Sequence, residues 1–192
     1  MEHQVKDFSH LIGKLDDLSA KQVEAHLGLY KGYVNKLNEI ETKLRDADRG
    51  LANYSFGEYS ELKRREAVAF NGAYFHQWYF ENLTPKGAKR TPELDKAITK
   101  SFGSIDNYLK DLKASAASTP GWVLTTKNKI DGKLHNYIVF EHHIGLPVHQ
   151  EIILALDCWE HAYMIDYGTK KTDYLETFLK NVDWNVVSQR LK

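Results

Sequence analysis

The stretch "AKQVEAHLGLYKGYVNKLNEIETKL", residues 20–44, constrains the fold of this chain more than any other. Apolar or aromatic residues and one histidine recur in it at Val23, His26, Leu27, Tyr30, Tyr33, Val34, Leu37, Ile40 and Leu44. Spacing of three and four residues, sustained over about six turns, predicts one long helix with a single buried stripe. Ser19 precedes it and Gln22 follows three residues later, the pattern of a capping box. "DADRGLANYSFGEYS" breaks the period. A second helix is expected over "SELKRREAVAFNGAYFHQWYFENL", stopping before Pro85. Two such helices in succession read as a long helical hairpin.

The texture then changes. "TPKGAKRTP", residues 84–92, has the prolines, glycine and basic residues of a linker. A helical stretch follows in "PELDKAITKSFGSIDNYLKDLKASAAS". Two β-rich runs flank the turn "KIDGK", and a third run is "EIILAL". The end, "YLETFLKNVDWNVVSQRLK", is helical again. The expected fold class is α+β. It comprises an N-terminal helical hairpin domain over 1–88 and a C-terminal α/β domain over 89–192, with a three-stranded antiparallel sheet.

Charge and cysteine content exclude several functions. Lys plus Arg and Asp plus Glu are 26 each, so no global field draws the chain to nucleic acid. Cys158 is the only cysteine, which rules out intrachain disulfides and multi-thiolate metal sites. The first residues lack a basic start followed by an apolar run, and no stretch approaches the ~20 apolar residues that span a bilayer. The expectation is a cytoplasmic protein with no membrane or nucleic-acid partner.

The residues that bear chemistry are histidines in apolar settings. Asp157 and His161 lie four apart just after "EIILAL", where a strand ends. Alone, such a pair is more often a capping Asp and a core His than two metal ligands. His76 sits among Phe70, Tyr74, Phe75, Trp78, Tyr79 and Phe80, and His26 lies on the apolar stripe of the first helix. A hydrogen-bonded core role is the plain reading of each. Taken together, three imidazoles and one carboxylate with no thiolate suit iron or manganese. Zinc accepts the same ligand types but supplies no redox chemistry. Glu-x-x-His repeats of the di-iron type, Gly-x-Gly-x-x-Gly and Gly-x-Ser-x-Gly are all absent. "FEHHIGLPVHQE" clusters His142, His143 and His149, either as a solvated loop or as the source of a donor into the site.

"DCWEHAYMIDYGTKKTDYLETFLKNVDW" resembles the C-terminal signature of the iron/manganese superoxide dismutase family, in which D-x-W-E-H-A-Y is highly specific. "FHQWYFENLTP", "HLGLYKGYVNKLN" and "GWVLTTKNKIDGKL" resemble, in order, its second-helix, first-helix and first-hairpin motifs. The resemblance covers residue 8 to the end. It implies one iron or manganese ion per subunit held by His26, His76, Asp157 and His161. It also implies walls from Trp122 and Trp159, and a homodimer in which Glu160 reaches the partner subunit's His161. The implied activity is disproportionation of superoxide to O2 and hydrogen peroxide. A relative of the same fold that binds metal for structure or redox sensing is the alternative. A purely helical interaction module is a third reading.

Departures from the family pattern sharpen the expectations. The family's gateway tyrosine stands eight residues beyond the first ligand; here Tyr30 is at four and Tyr33 at seven, so either takes that role. Met164 replaces a tyrosine, and the resemblance suggests that Tyr30 has moved across the interface to compensate. Lys171 stands for an arginine. Gly72 holds the place of the glutamine that iron-type members use as a donor to metal-bound solvent. His143, or in second place His142, is expected to supply that donor.

Overall fold

The computed structural model of the protein describes residues 2–191. Helix α1 spans Ala20–Asp46 and α2 Glu58–Glu81, and they pack against each other along most of their length. The buried stripe of α1 is Val23, His26, Leu27, Tyr30, Val34, Leu37, Ile40 and Leu44, with Gln22 at its start. The Ser19 hydroxyl caps α1 by accepting from the Gln22 amide at 3.1 Å. The capping box goes no further. Gln22 sends its side chain elsewhere, and the Ser19 amide donates to Asp166 Oδ2 at 2.7 Å. Glu58 and Glu61 favour the start of α2 electrostatically.

The long helical stretch expected after the linker is two helices, α3 over Pro92–Phe102 and α4 over Ile105–Ala117. Gly103 breaks it at φ +84°, and Ser104 caps α4 through the Asn107 amide. The sheet follows as β1, Trp122–Asn128, β2, Leu134–Val139, and β3, Gln150–Asp157, in the order β2-β1-β3 with both pairings antiparallel. Trp122 to Thr126 are all buried, because the central strand is covered on both faces. After a 3-10 turn at Glu160–Ala162 come α5, Met164–Tyr167, α6, Lys171–Lys180, and α7, Trp184–Gln189. The helical C-terminus is thus broken at Asp183, whose side chain caps α7.

Register decides what gathers at one end of the sheet. Trp122 pairs with Val139 on one side and Asp157 on the other. The preceding residue must be glycine. A Cβ on Gly121 would lie 2.1 Å from the Val139 carbonyl, and its own carbonyl accepts from Cys158 N at 2.8 Å. The loop leaving β2 and the chain leaving β3 therefore emerge beside each other, facing α1 and α2.

The hairpin is tied to the C-terminal part by more than packing. Thr84 N donates to the Asn181 carbonyl and Ala88 N to that of Val182, so the linker is itself bonded. Asn82 at the end of α2 donates to the Ala155 carbonyl at 2.9 Å and accepts from Arg190 at 2.7 Å. Arg190 also donates to the Ile153 carbonyl and pairs with Glu81 at 2.6 Å, both partners mostly buried. Arg190→Ala leaves Glu81 Oε2 and the Asn82 oxygen without their partner, while Lys6 and Gln77 still donate to Glu81 Oε1. It is expected to cost about 2–3 kcal/mol, seen as a lower urea midpoint at unchanged slope.

Candidate metal centre

Each candidate ligand arrives from a different element. His26 comes from the second turn of α1, His76 from α2, Asp157 from the last position of β3 and His161 from the 3-10 turn. Their donor atoms all lie within 4.8 Å of one another. Asp157 Oδ2 is 3.0 Å from His26 Nε2, 3.1 Å from His161 Nε2 and 3.6 Å from His76 Nε2. His76 Nε2 and His161 Nε2 are 3.3 Å apart. His26, His76 and Asp157 are buried, while His161 keeps a quarter of its side chain exposed.

The supports around the cluster orient it. Asp157 Oδ1 accepts from Trp159 N at 2.9 Å, which leaves Oδ2 for the three imidazoles. Tyr174 holds the Asp157 backbone carbonyl at 2.8 Å. Gln22 donates to the His161 carbonyl at 2.6 Å and accepts from Ile165 N at 3.0 Å, so α1 grips the turn that carries His161. Gln22 and Tyr174 escape a reading of the sequence for ligands. Gln22 there looks like half of a cap, and Tyr174 like one more core ring.

The cluster fits a cation. His76 Nδ1 faces the Gly72 carbonyl at 2.6 Å and must donate its proton there. Its Nε2 therefore presents a lone pair toward a carboxylate and a second imidazole. A carboxylate oxygen and imidazole lone pairs converging on one buried point are the donor set that a cation takes up. Burial holds His76 neutral, its pKa pulled down to about 3, and lowers that of His26 against the pull of Asp157. Burial alone would raise the Asp157 pKa. The charge and hydrogen bonds of His161 and His26 outweigh it and keep the carboxyl below its usual range. A neutral His76 and an ionised Asp157 are in the states that bind metal. Three nitrogens and one oxygen, with no sulfur, suit iron or manganese.

Trp122 and Trp159 flank the cluster. The Trp122 ring meets His76 edge-on at 5.0 Å, and the Trp159 ring lies parallel to His161 at 6.3 Å. Tyr33 stacks on His76, centroids 5.2 Å apart and planes at 27°. Tyr30 does not reach the site. It is buried within its own subunit between Phe8 and Phe80, and its hydroxyl accepts from Lys6 N at 3.0 Å. Met164 is 44% exposed, so the proposed pairing of Tyr30 with Met164 across an interface is not supported: a ring 1% exposed presents nothing to a partner. Lys171 reaches the Thr119 carbonyl at 2.8 Å.

Of the two candidate donor histidines, His143 is exposed and its neighbour His142 is buried. Trp122 Nε1 donates to His142 Nδ1 at 2.9 Å, and His142 Nε2 lies 2.6 Å from the Tyr33 hydroxyl. An indole N–H can only donate, so Nδ1 accepts and the proton of the neutral ring sits on Nε2. Burial lowers the His142 pKa and raises that of Tyr33, keeping the ring neutral and the phenol protonated. Both His142 nitrogens are engaged, which leaves the Tyr33 O–H as the free donor of this chain of bonds.

Comparison with known proteins follows the same line. Residues 90–190 match the family model described as iron/manganese superoxide dismutases, C-terminal domain. An iron superoxide dismutase of Aquifex pyrophilus is 36% identical over 99% of this chain and 92% of its own length. That of Aquifex aeolicus is 35% identical over the same shares. A manganese superoxide dismutase of Haloarcula marismortui is 32% identical over 83% of this chain and 78% of its own. With the fold, the donor cluster and near full-length similarity in agreement, the chain belongs to the iron/manganese superoxide dismutase family.

Proposed function

We propose that this protein is a superoxide dismutase, converting two superoxide anions and two protons to O2 and hydrogen peroxide at one iron or manganese ion per subunit. The observation that carries the proposal is the convergence of three imidazole nitrogens on one buried carboxylate oxygen, at 3.0–3.6 Å. His26, His76, Asp157 and His161 would hold the ion, between an N-terminal part over 1–88 and a C-terminal part over 89–192. When bound, the ion supplies the one-electron exchange that each half of the reaction needs.

The remaining steps belong to the protein. Trp122 and Trp159 exclude bulk water, which strengthens the field of Asp157 inside the site. Peroxide leaves only after protonation, and Tyr33, its ring stacked on His76 and its hydroxyl bonded to His142, would supply a proton. His142 Nε2–H steadies the Tyr33 oxygen before and after it gives up its proton.

Assembly and location belong to the same proposal. Glu160 is exposed beside the ligand His161. That position suits a homodimer in which it hydrogen-bonds the partner subunit's His161 and orients that imidazole. Among the described residues no helix is long and apolar enough to cross a membrane. We assign the protein to the cytoplasm, a compartment compatible with the free thiol of Cys158.

Elemental analysis of protein from its native host, paired with a superoxide-consumption assay, tests the reading. Iron or manganese near one per subunit with rapid consumption is expected. Stoichiometric metal without consumption would favour the structural or sensing alternative instead.

A further inference from the structure

The loop between β2 and β3, residues 140–149, is a poor platform for a buried group. His142 is its only buried residue, and Phe140, Ile144 and Val148 all face solvent. Within the loop, Phe140 N donates to the Ile144 carbonyl, and Gly145 takes φ +115° to turn beneath Ile138. Neither feature ties the loop to the hairpin that carries His26, Tyr33 and His76. One side chain of α2 does. Asn71 Nδ2 donates to the His142 backbone carbonyl at 2.7 Å. The next residue, Gly72, supports the Tyr33 ring through its bare Cα, and its carbonyl orients His76. One turn of α2 thus bears on Tyr33 by close approach, on His76 by its backbone and on His142 by the Asn71 carboxamide.

We infer that Asn71 is a positioning residue: its carboxamide sets the height of His142 above the site and so aims the Tyr33 hydroxyl. The inference rests on the dismutase reading. Asn71 touches neither the ligands nor the substrate position, and its effect passes entirely through the His142–Tyr33 hydrogen bond. Without the amide donor, the solvent-facing loop keeps its two side-chain bonds but loses the clamp on its backbone. Tyr33 then follows His142 wherever the loop settles.

The test is a double-mutant cycle on the full-length, metal-loaded protein, with Asn71→Ala, Tyr33→Phe and the double variant. Alanine favours a helix more than asparagine, so α2 itself is not weakened. Two quantities are read: the kcat of superoxide consumption, and the affinity for azide followed by the metal's visible absorption. Asn71→Ala is expected to keep its metal content and melting temperature, to lower kcat by about tenfold and to shift azide affinity. Both effects should vanish in the Tyr33→Phe background, because the path they travel is already cut. Asn71→Gln, which keeps an amide donor, should recover most of the loss. Effects of Asn71→Ala that persist undiminished beside Tyr33→Phe would overturn the inference, as would loss of metal or no effect at all. If the unsubstituted protein itself binds no iron or manganese, or consumes no superoxide, the dismutase reading fails and takes this inference with it.

Discussion

His161→Ala is expected to empty the metal site and reduce superoxide consumption to background. His161 contributes one of the four donors, 3.1 Å from Asp157 Oδ2 and 3.3 Å from His76 Nε2. It is also the candidate ligand on the side of the cluster open to solvent, so nothing packed behind it can take its place. Removing an outer partner of a ligand costs metal affinity roughly 10–100-fold, and removing a ligand itself should exceed that. The loss is chemical rather than a failure to fold. The side chain is partly exposed, and Gln22 holds the backbone of the turn through the His161 carbonyl, which alanine retains. Metal content per subunit, measured beside the circular dichroism of both proteins, checks this. A variant that folds and keeps its metal would remove His161 from the ligand set.

Gly72→Gln is expected to damage the site through space. A Cβ at position 72 would lie 2.4 Å from Tyr33 Cδ1, 2.7 Å from Cε1 and 2.9 Å from Cγ, within the ring itself. Tyr33 is held by His76 below and His142 above, so it cannot tilt away without breaking one of those contacts. Overpacking of this kind costs about 1–3 kcal/mol, a drop of several degrees in melting temperature for a chain of this size. Consumption of superoxide should fall by about 100-fold, at the upper end for loss of an outer-sphere partner. Adding Tyr33→Ala should restore the melting temperature, because it removes the clash, but not the activity. Recovery of activity by the double variant would show that the aim of Tyr33 does not matter. A side chain at position 72 and the Tyr33 ring therefore compete for one volume. In this chain Tyr33 occupies it, and glycine is what remains for α2.

Much of the fold is legible because it follows from periodicity. The stripe from Val23 to Leu44 is helical in the sequence and buried in the structure, since a helix of that length has one face to bury. The three β-rich runs are the three strands. The breaks were less legible. Gly103 and Asp183 divide helices that the spacing of apolar residues runs together, because a single turn interrupts a pattern without erasing it. The roles of polar side chains were least legible. Gln22 has the spacing of a capping residue, yet it spans from α1 to the turn at His161. A local motif names a possible partner, and a stronger distant one displaced it.

The sequence by itself determined the helical hairpin, the sheet that follows it and the identity of four ligand-type side chains in apolar settings. Those properties reside in residue type and spacing, which the chain carries before it folds. Only the tertiary structure places His142 rather than His143, and Tyr33 rather than Tyr30, beside the cluster. His142 and His143 are adjacent in a tight turn bridged by Glu141 and Ile144, and no sequence period tells which of the two faces inward. Residues 30 and 33 lie nearly one turn apart on the same stripe, so both are compatible with burial. What separates them is what they meet: Phe8 and the Lys6 amide for Tyr30, His76 and His142 for Tyr33. Those meetings depend on long-range packing of α1 against α2 and on the pairing of Trp122 with Asp157, which no local spacing encodes.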